Sequence, residues 1–526
     1  MAAKPAIAQA VVPFSIVGHI QTFTLTAPDN PFSSATMVVN GVTVTIPTNT
    51  VVLMPAAYLT PQEIFRCAPP GLPTDPPQTF PCPASPKAKS GLALDDRVTL
   101  ADPPLAPFEA EIVGNIVGGV HIAGLVRISQ QSLNNTAGFI RSISAAGEMC
   151  VGASPTPVAS CVPPDTRVRI NDPTKVYGAI NTSPDLRFSV DPDNPTIHAQ
   201  TGYPMCVSSP GDSGCLLTNR PFSGGAPLTT FVMDSQAITT GLPPAHPSIL
   251  PCVGALPACD PNKTAPFIVG DFINLAGTLF KDGNAAHPYY ISAHTIEANV
   301  GIYTKPGAPN IAYVFQEKTI LGTLGPLTGP APVAPCVAAL ECTARLRIVG
   351  FTTDPSRLSS IHTYASDVDA TGVRHTRLLS TVQRPQAPFG RFRFDIPRTP
   401  TLVPNGLGAT REIMVRMDNV ALGDNGVPLP DNTVIADNLN SPGLANANGI
   451  IAGQYVAPVG EYLFPEGLIM GAPPPAANFQ CLAFLTAGWA TALTGEALKL
   501  VGQLTPWPGT TAPAASAAGI HCDTPG

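Results

Sequence analysis

Proline is the residue that most restricts how this chain can fold. It supplies 62 of the 526 residues and occurs along most of the length. Each proline removes a backbone donor and fixes φ, so frequent prolines break long helices and interrupt central strands of sheets. Apolar residues make up 44% of the chain, which is enough to build packed cores. The sequence therefore predicts an all-β protein with long loops, divided into about three or four domains because of its length.

The cysteines fall into six neighbouring pairs. Five pairs are separated by 15 residues or fewer and the sixth by 41. None has the C-x-x-C spacing of a zinc site, so loop-closing disulfides are favoured over free thiols or a metal site. The predicted disulfides are Cys67–Cys82, Cys150–Cys161, Cys206–Cys215, Cys252–Cys259, Cys336–Cys342 and Cys481–Cys522. Disulfides indicate an oxidising compartment, and hence a secreted, extracellular or cell-surface protein.

Two features bear on the route to that compartment. The first residues lack the long apolar segment of a signal peptide, so either a leader has been removed or export follows another route. No run of about 18 or more apolar residues occurs, so no membrane-spanning helix is predicted.

Two successive segments show the same order of strand patterns. In the first, the β-branched hairpin at 36–46 contains Asn40-Gly41, the preferred pair for a type I′ turn. A short helix is predicted after it, with Thr60 as N-cap, Pro61 in the first turn and Glu63 closing a capping box. The strand patterns lie at 15–23, 36–46 and 110–128 in the first segment, and at 138–141, 166–170, 272–279 and 290–296 in the second. A duplicated small β-barrel is therefore predicted.

Particular residues in these strands resemble a known type of domain. They are the Gly-x-Ile openings, the Val-Asn-Gly-Val hairpin, the Gly-Asp-Phe-Ile-x-Leu-x-Gly strand at 270–277 and the Ile-Ser-Ala-x-x-Ile strand at 291–296. Together they resemble tandem OB-like barrels of bacterial exported proteins, a domain type of unknown function. The resemblance covers 14–130 and 136–304 and implies a barrel fold in an envelope or extracellular setting, with no activity attached. OB barrels often bind nucleic acid through basic, aromatic faces, and neither segment carries such a strand.

The rest of the chain is predicted to hold one further domain and a tail. Five short alternating strands within 344–420 resemble a bacterial immunoglobulin-like β-sandwich. Most arginines gather there on positions expected to face outward, as a solvated face or as a surface for an anionic polymer or partner. The tail is irregular and apolar, with one helix predicted from 484 to 493 or beyond, and it either wraps its own domains or enters a neighbour's sheet. The predicted organisation is an N-terminal arm (1–13), barrel 1 (14–132), barrel 2 (133–305) with an insert (184–262), a linker (306–343), the Ig-like sandwich (344–420) and a C-terminal extension (421–526).

Site chemistry is sparse in the sequence. Gly211-Asp212-Ser213-Gly214 matches the tetrapeptide around a trypsin-like nucleophile, but the required histidine segment is missing, so a polar loop tip is predicted. Acidic clusters at Asp185 and at 191–194 lack the EF-hand spacing for calcium and read as ordinary turns. Three glycosylation sequons, at Asn134, Asn181 and Asn262, fall in predicted loops. No catalytic, cofactor or metal residue is predicted, and the protein is not expected to be an enzyme.

Composition sets the functional expectation. Charged residues are only 12% of the chain, which fits either a surface covered by sister subunits or a matrix, or a secreted protein from a background that disfavours lysine. The net charge of −7 without a basic stripe argues against nucleic acid as a partner. The leading prediction is a secreted, non-enzymatic structural or adhesive protein whose partners are copies of itself, in an extracellular filament, sheath or surface layer. The alternative is a secreted carbohydrate- or surface-binding protein with an extracellular polysaccharide as ligand.

Overall fold

The structure is a computed structural model of the 526-residue chain. It describes residues 11–56, 58–70, 82–97, 106–130, 135–178, 183–191, 194–233, 250–251, 260–306, 311–321, 345–368, 374–380, 390–397, 412–417, 433–435, 450, 452–462, 476–477, 479, 485–486 and 500–509. These residues form two β-barrels, a third β unit made of two sheets, and parts of a C-terminal segment.

Barrel 1 is a closed ring of five strands. Its strands are β1 (Val12–Leu25), β2 (Ala35–Val39), β3 (Val42–Ile46), β4 (Val52–Leu53), β5 (Tyr58–Leu59), β6 (Glu109–Val117) and β7 (Val120–Ser129). β1 pairs with β2 and β6, β2 with β3, and β6 with β7, all antiparallel. Parallel pairing of β3 with β7 closes the ring, and β4 and β5 extend from β7 outside it. The predicted closed barrel is confirmed.

Local signals in barrel 1 act as the sequence predicts. Asn40 and Gly41 have φ values of 49° and 79°, so both central turn residues are left-handed. The helix α1 (Pro61–Arg66) begins after Thr60, whose hydroxyl accepts a hydrogen bond from the Glu63 amide at 3.2 Å. The Glu63 carboxylate in turn accepts one from the Thr60 amide at 2.9 Å, which completes the capping box. A 3₁₀ turn, Leu94–Asp96, follows later in the same connection.

Barrel 2 repeats this ring. Its strands are β8 (Asn135–Ile143), β9 (Met149–Gly152), β10 (Thr166–Ile170), β11 (Ile197–Ala199), β12 (Met205–Cys206), β13 (Phe222–Ser223), β14 (Ala226–Pro227), β15 (Thr230–Met233), β16 (Leu250–Pro251), β17 (Ala265–Pro266), β18 (Phe272–Lys281), β19 (Tyr289–Ala298) and β20 (Gly301–Thr304). β8 pairs with β9 and β18, β9 with β10, and β18 with β19. Parallel pairing of β10 with β19 closes five strands, in the same order as in barrel 1.

The two barrels also share their irregularities. Gln21 on β1 and Arg141 on β8 are extra residues that break the register with the following strand. The closing hairpins break register just before Gly114 and Gly277. A Cβ at these two glycines would lie 2.1 and 2.3 Å from a carbonyl oxygen of the partner strand, which only glycine avoids. Matched bulges at matched positions support the predicted duplication.

Each barrel carries a long connection between its third and fourth ring strands. In barrel 1 it covers residues 47–108 and contains α1, while in barrel 2 it covers 171–271. The barrel 2 connection holds strands β11 to β17 and two 3₁₀ turns, Leu186–Phe188 and Leu217–Asn219. It joins barrel 2 to barrel 1, because Phe188 stacks on Phe108 of barrel 1 with ring centroids 4.8 Å apart.

The third unit consists of two sheets. Its strands are β21 (Val314–Leu321), β22 (Arg345–Thr352), β23 (Ile361–Val368), β24 (Arg374–Ser380), β25 (Arg391–Pro397), β26 (Glu412–Met417), β27 (Thr433–Ile435), β28 (Gln454–Pro458) and β29 (Glu461–Tyr462), with a 3₁₀ segment at Pro355–Ser360. One sheet has the order β25-β22-β21-β29 and the other β27-β24-β23-β26-β28. Ile348 and Phe394 of the first sheet and Ile413 and Val415 of the second belong to one buried cluster. β21 lies within the segment expected to be a linker, 306–343.

The opposite face of the second sheet packs on barrel 1. Tyr364, Met414 and Val456 belong to the buried cluster of barrel 1. Arg416, two residues after Met414, lies on this same face and is 6% exposed. The expectation that the arginines here point outward is wrong for Arg416, because that side of the sheet is covered.

The C-terminal segment docks on barrel 1. The Asn115 side chain donates to Ala477 O at 2.8 Å and accepts from Ala477 N at 2.9 Å. The amide side chain thus makes the same pair of hydrogen bonds that a neighbouring strand would make to Ala477. Thr48 and Thr505 exchange backbone hydrogen bonds of 2.8 and 3.2 Å. Phe479 packs directly over Gly124, where a Cβ would approach its ring to 2.4 Å. The described residues of this segment at 477, 479 and 505 therefore pack against barrel 1 of their own chain.

The helix predicted from 484 to 493 is not found at Leu485 and Thr486, and the other residues of that range lie outside the described residues. β30 (Leu485–Thr486) and β31 (Leu500–Val501) form an antiparallel pair instead. The sequence between them contains Gly488 and Gly495, and glycine weakens a helix by about 1 kcal/mol each. Among the described residues, no helix is long and apolar enough to cross a membrane.

Candidate functional site

Two adjoining cavities lie where barrel 1, barrel 2 and the third unit meet. The larger has a volume of about 270 Å³ and the smaller about 50 Å³. Both are lined by Tyr58 of barrel 1 and by Pro458 and Glu461 of the third unit. We call them together the junction cleft. Asp191 and Thr196, from the barrel 2 connection, complete the wall of the larger cavity.

A β-bulge forms the polar wall of the junction cleft. β21 loses register with β22 between Gln316 and Lys318, so Glu317 is an extra residue. Gln316, Glu317, Lys318 and Thr319 all line the larger cavity. In a regular strand alternate residues point to opposite faces, so four consecutive residues reach one cavity only because the bulge re-aims them.

Gln316 lines the larger cavity and holds a buried acceptor. The residue is 6% exposed, and its amide nitrogen donates to the Thr319 hydroxyl. Its Oε1 has no hydrogen-bond partner among the described residues. A buried acceptor left without a donor costs about 1–3 kcal/mol.

The charged lining of the cleft is mainly acidic. The charged side chains of the larger cavity are Asp191, Glu317, Glu461 and Lys318, and the smaller cavity adds Glu111 and Arg127. Lys318 Nζ lies 3.4 Å from Glu461 Oε2 in a half-exposed ion pair. Asp191 is 8% exposed and accepts a hydrogen bond of 2.8 Å from Asn194 Nδ2. Burial raises the pKa of Glu297, and the negative charge of Glu317 raises it further. The Glu317 carboxylate therefore acts electrostatically on a second acidic side chain.

Tyr455, on β28, also lines the larger cavity. Burial, together with the negative charge of Asp191, raises the pKa of Tyr455 well above its usual range, so its hydroxyl remains protonated. Its ring stands edge-on to Phe315 with centroids 5.5 Å apart, and Phe315 packs on His198 at 3.9 Å. Burial lowers the pKa of His198 to about 4, so this imidazole is neutral at physiological pH.

The smaller cavity gives the cleft an apolar floor. Leu53, Val113 and Val126 are among its lining residues. At its edge Arg127 pairs with Glu111 at 3.3 Å and donates to the Gly460 carbonyl across the interface. The cleft therefore combines apolar and aromatic walls with a few convergent polar groups, as ligand sites in proteins do.

Two polar links hold the walls together. Asn194 of the barrel 2 connection donates to Val456 O at 2.7 Å and accepts from Val456 N at 3.0 Å. Arg187 of the same connection donates to the Ile64 and Ser90 carbonyls of barrel 1 at 2.9 and 2.6 Å. Each link is buried, so the three walls are fixed relative to one another.

Three predicted disulfides lie within the described residues, and all three are formed. They are Cys67–Cys82, Cys150–Cys161 and Cys206–Cys215, with S–S distances of 2.05, 2.15 and 1.94 Å. The other pairs, Cys252–Cys259, Cys336–Cys342 and Cys481–Cys522, lie outside the described residues. None of the bonded pairs lines the junction cleft.

The remaining candidates of the sequence are dispersed. Ser213 is exposed in the 206–215 loop, where Asp212 accepts a hydrogen bond from Gly214 N at 2.8 Å in a tight turn. Asp185 is buried against Arg187 at 2.6 Å. Asn262 is exposed, whereas the sequons at 134 and 181 lie outside the described residues. In the described part of the chain no group of three or more His, Cys, Asp or Glu side chains is placed to hold a metal ion.

Sequence reasoning missed the polar wall of the cleft. The exposure of β21 alternates at both ends but fails at 316–319, where the bulge lies. That broken alternation hid the strand and placed Gln316 and Glu317 in a linker. The only signal in the sequence was the Gln-Glu-Lys run between two apolar stretches, which is also typical of a loop.

No protein-family model, curated protein or solved structure matches the chain.

Proposed function

We propose that the protein is a secreted, non-enzymatic structural or adhesive protein that associates with copies of itself. The observation that carries the proposal is a segment of the barrel 2 connection, residues 206–228, which we call the stapled loop because the Cys206–Cys215 disulfide closes its first turn. Leu217 and Phe222 on this loop are 63% and 55% exposed. Burying one such side chain stabilises a complex by roughly 1.5–3 kcal/mol. A surface with few charges and rigid apolar projections favours a protein partner.

The base of this loop is fixed by buried polar contacts. Asn219 is fully buried and donates to three carbonyls, including Thr264 O at 3.0 Å. Arg220 pairs with Asp271 at 2.7 Å, with both side chains 2% exposed or less. The Cys206–Cys215 disulfide closes the preceding turn. A projection held this way loses little conformational entropy when it binds.

Sedimentation velocity over rising protein concentration, with negative-stain microscopy, tests self-association. We expect oligomers for the native chain and a shift toward monomer for Leu217→Ser/Phe222→Ser. Val120→Ser is the matched control, since Val120 is 48% exposed on barrel 1. A native chain that stays monomeric at high concentration overturns the proposal. If the Val120→Ser control shifts toward monomer as much as Leu217→Ser/Phe222→Ser, the stapled loop is not the surface through which copies associate.

The finer fold assignments and the location belong to the same proposal. In both barrels the first strand pairs with the second and fourth, and the third pairs in parallel with the fifth, which supports an OB-like assignment. Two packed, mostly antiparallel sheets support an Ig-like third unit. Three disulfides are compatible with an extracellular location.

The second candidate function is binding of an extracellular polysaccharide, favoured by the junction cleft. Tyr455, Gln316 and Asp191 offer hydroxyl, amide and carboxylate groups, and Tyr58 and Pro458 offer flat apolar surface. Sugars present hydroxyls that donate and accept, together with apolar ring faces, so this mixture suits them. Calorimetric titration with soluble mono- and oligosaccharides tests this candidate function. If no sugar gives a measurable heat of binding, the candidate is wrong.

A further inference from the structure

We propose that the loop at 153–164 in barrel 2 is an O-glycosylation site, with Thr156 as the main acceptor of an activated sugar. This inference rests on the secreted location in the proposed function, because it needs a compartment in which proteins are glycosylated. The anchoring, the exposure, the backbone and the composition of the loop support it.

The loop lies between β9 and β10 and is anchored to barrel 2. The Cys150–Cys161 disulfide closes it. Arg141 on β8 holds its middle, since Arg141 Nε donates to Thr156 O at 2.9 Å and Arg141 O accepts from Val158 N at 3.1 Å. A segment held in this way loses little conformational entropy when an enzyme binds it.

The hydroxyl groups of the loop are accessible. Thr156 and Ser160 are exposed, and Ser154 is half-buried. Thr156 Oγ1 accepts a hydrogen bond of 3.0 Å from Ser154 Oγ. The oxygen of a glycosidic bond still accepts hydrogen bonds, so a sugar on Thr156 does not require the loss of this contact.

Two prolines restrict the backbone around the acceptor. Pro155 precedes Thr156 and Pro157 follows it. Proline fixes its own φ and pushes the residue before it toward an extended conformation, so both Ser154 and Thr156 are biased that way. The structure describes all of residues 153–164, and these contain neither helix nor strand. A transferase can therefore bind the segment without first unfolding an element.

Composition favours a glycan at this place. Nine of the twelve residues at 153–164 are Ala, Ser, Thr or Pro, and none is charged. Segments rich in Ser and Thr together with proline are typical of O-glycosylated stalks. Val162 in the same loop is 48% exposed. Glycans are bulky and solubilising, so one on this loop would shield that apolar side chain.

The transfer uses a glycosyl donor in which a phosphate is bonded to the anomeric carbon of the sugar. Thr156 Oγ1 attacks that carbon and forms the new C–O bond, while the bond between the anomeric carbon and the phosphate oxygen breaks. A base of the transferase takes the hydroxyl proton, and the nucleotide or lipid phosphate leaves with the bonding electrons. Nothing is oxidised or reduced.

The test is mass spectrometry of the full chain collected from the medium of its native host. Trypsin releases the loop in one peptide, 142–167, because Arg141 and Arg167 are the nearest cleavage sites on either side. We expect this peptide, after reduction, to carry a mass increment of whole sugar residues, which electron-transfer fragmentation places on Thr156. An unmodified peptide, or a phosphate in place of the sugar, overturns the inference.

Three variants made in the same host locate the acceptor. Thr156→Ala should lose the increment, and Thr156→Ser should keep it because serine retains the hydroxyl. Thr218→Ala is the matched control, since Thr218 is also exposed but lies in a 3₁₀ turn without an adjacent proline, and it should leave the increment unchanged. A full increment in Thr156→Ala, or equal glycosylation of Thr218 in the native chain, overturns Thr156 as the selected acceptor.

The outcomes separate this inference from the location on which it rests. Protein recovered from the medium with an unmodified 142–167 peptide overturns the glycosylation and keeps the secreted location. Protein found only inside the cells, with the same peptide unmodified, overturns both.

Discussion

The buried Asp185–Arg187 pair gives the sharpest prediction about how barrel 2 is joined to barrel 1. Both side chains have 0% exposure, and Arg187 makes bidentate contacts of 2.8 and 2.6 Å with Asp185. The same guanidinium donates to Ile64 O and Ser90 O on barrel 1. Arg187→Met keeps much of the apolar stem but leaves a buried carboxylate and two carbonyls without these donors.

The magnitude follows from what stays behind. Breaking a buried ion pair by removing one partner costs about 3–5 kcal/mol, because the other charge remains buried. Removing both charges in Asp185→Asn/Arg187→Met avoids that penalty and leaves chiefly the two orphaned carbonyls, at ~1–3 kcal/mol. The single variant loses the same two carbonyl donors and also keeps the buried charge, so it should be less stable than the double variant by about 3–5 kcal/mol.

Urea denaturation followed by circular dichroism measures the global effect. Hydrogen exchange measures the local one, because a chain of several units need not unfold in a single step. We expect faster exchange in α1 and around Ser90 for Arg187→Met. A single variant within about 1 kcal/mol of the native chain, or no less stable than the double variant, would refute the reasoning.

Three further predictions concern other polar groups. Burial lowers the pKa of Arg416 to about 10, which shows that the buried charge is unfavourable. Arg416→Met should therefore raise the free energy of unfolding by ~1–3 kcal/mol, measured by urea denaturation. A lower free energy of unfolding in the variant would contradict this. The hydrogen bond from Arg167 holds the pKa of Asp282 below its usual range, so its stabilising effect is present above about pH 4 and lost as pH falls further. Asp282→Asn should flatten that acid dependence in pH-dependent melts, and an unchanged slope would exclude this carboxylate. Asn115→Ala removes both hydrogen bonds to Ala477, so exchange at the C-terminal segment should accelerate by about tenfold or more, while exchange in barrel 2 serves as the unchanged reference.

The barrels were predictable because their signals are local. Asn40-Gly41 fixes one hairpin by φ alone, and Thr60 with Glu63 fixes the start of α1 by two short hydrogen bonds. Neither signal needs knowledge of distant residues. The cysteine pairs are similarly local, since the three that are described close loops of 15, 11 and 9 residues.

The junction cleft was not predictable from such signals. Its walls come from residues as far apart as Tyr58, Asp191 and Tyr455, which no local pattern relates. The bulge at Glu317 disrupts the alternation that would have marked β21 as a strand. The inward orientation of Arg416 depends on barrel 1 covering that face, which is a property of packing between units.

The proline content explains why Arg187 and Arg220 are buried so completely in a chain with so few charges. Irregular, proline-rich connections lack a strand ladder to satisfy their carbonyl groups, yet buried carbonyls need donors. Arginine carries five N–H groups, and Arg187 and Arg220 each use them on two backbone carbonyls as well as on an aspartate. The aspartate balances the charge, and the remaining N–H groups bind the loops. The two arginine–aspartate pairs therefore replace strand-to-strand hydrogen bonds where the sequence cannot form them. They fix the barrel 2 connection, which contains both the stapled loop and one wall of the junction cleft.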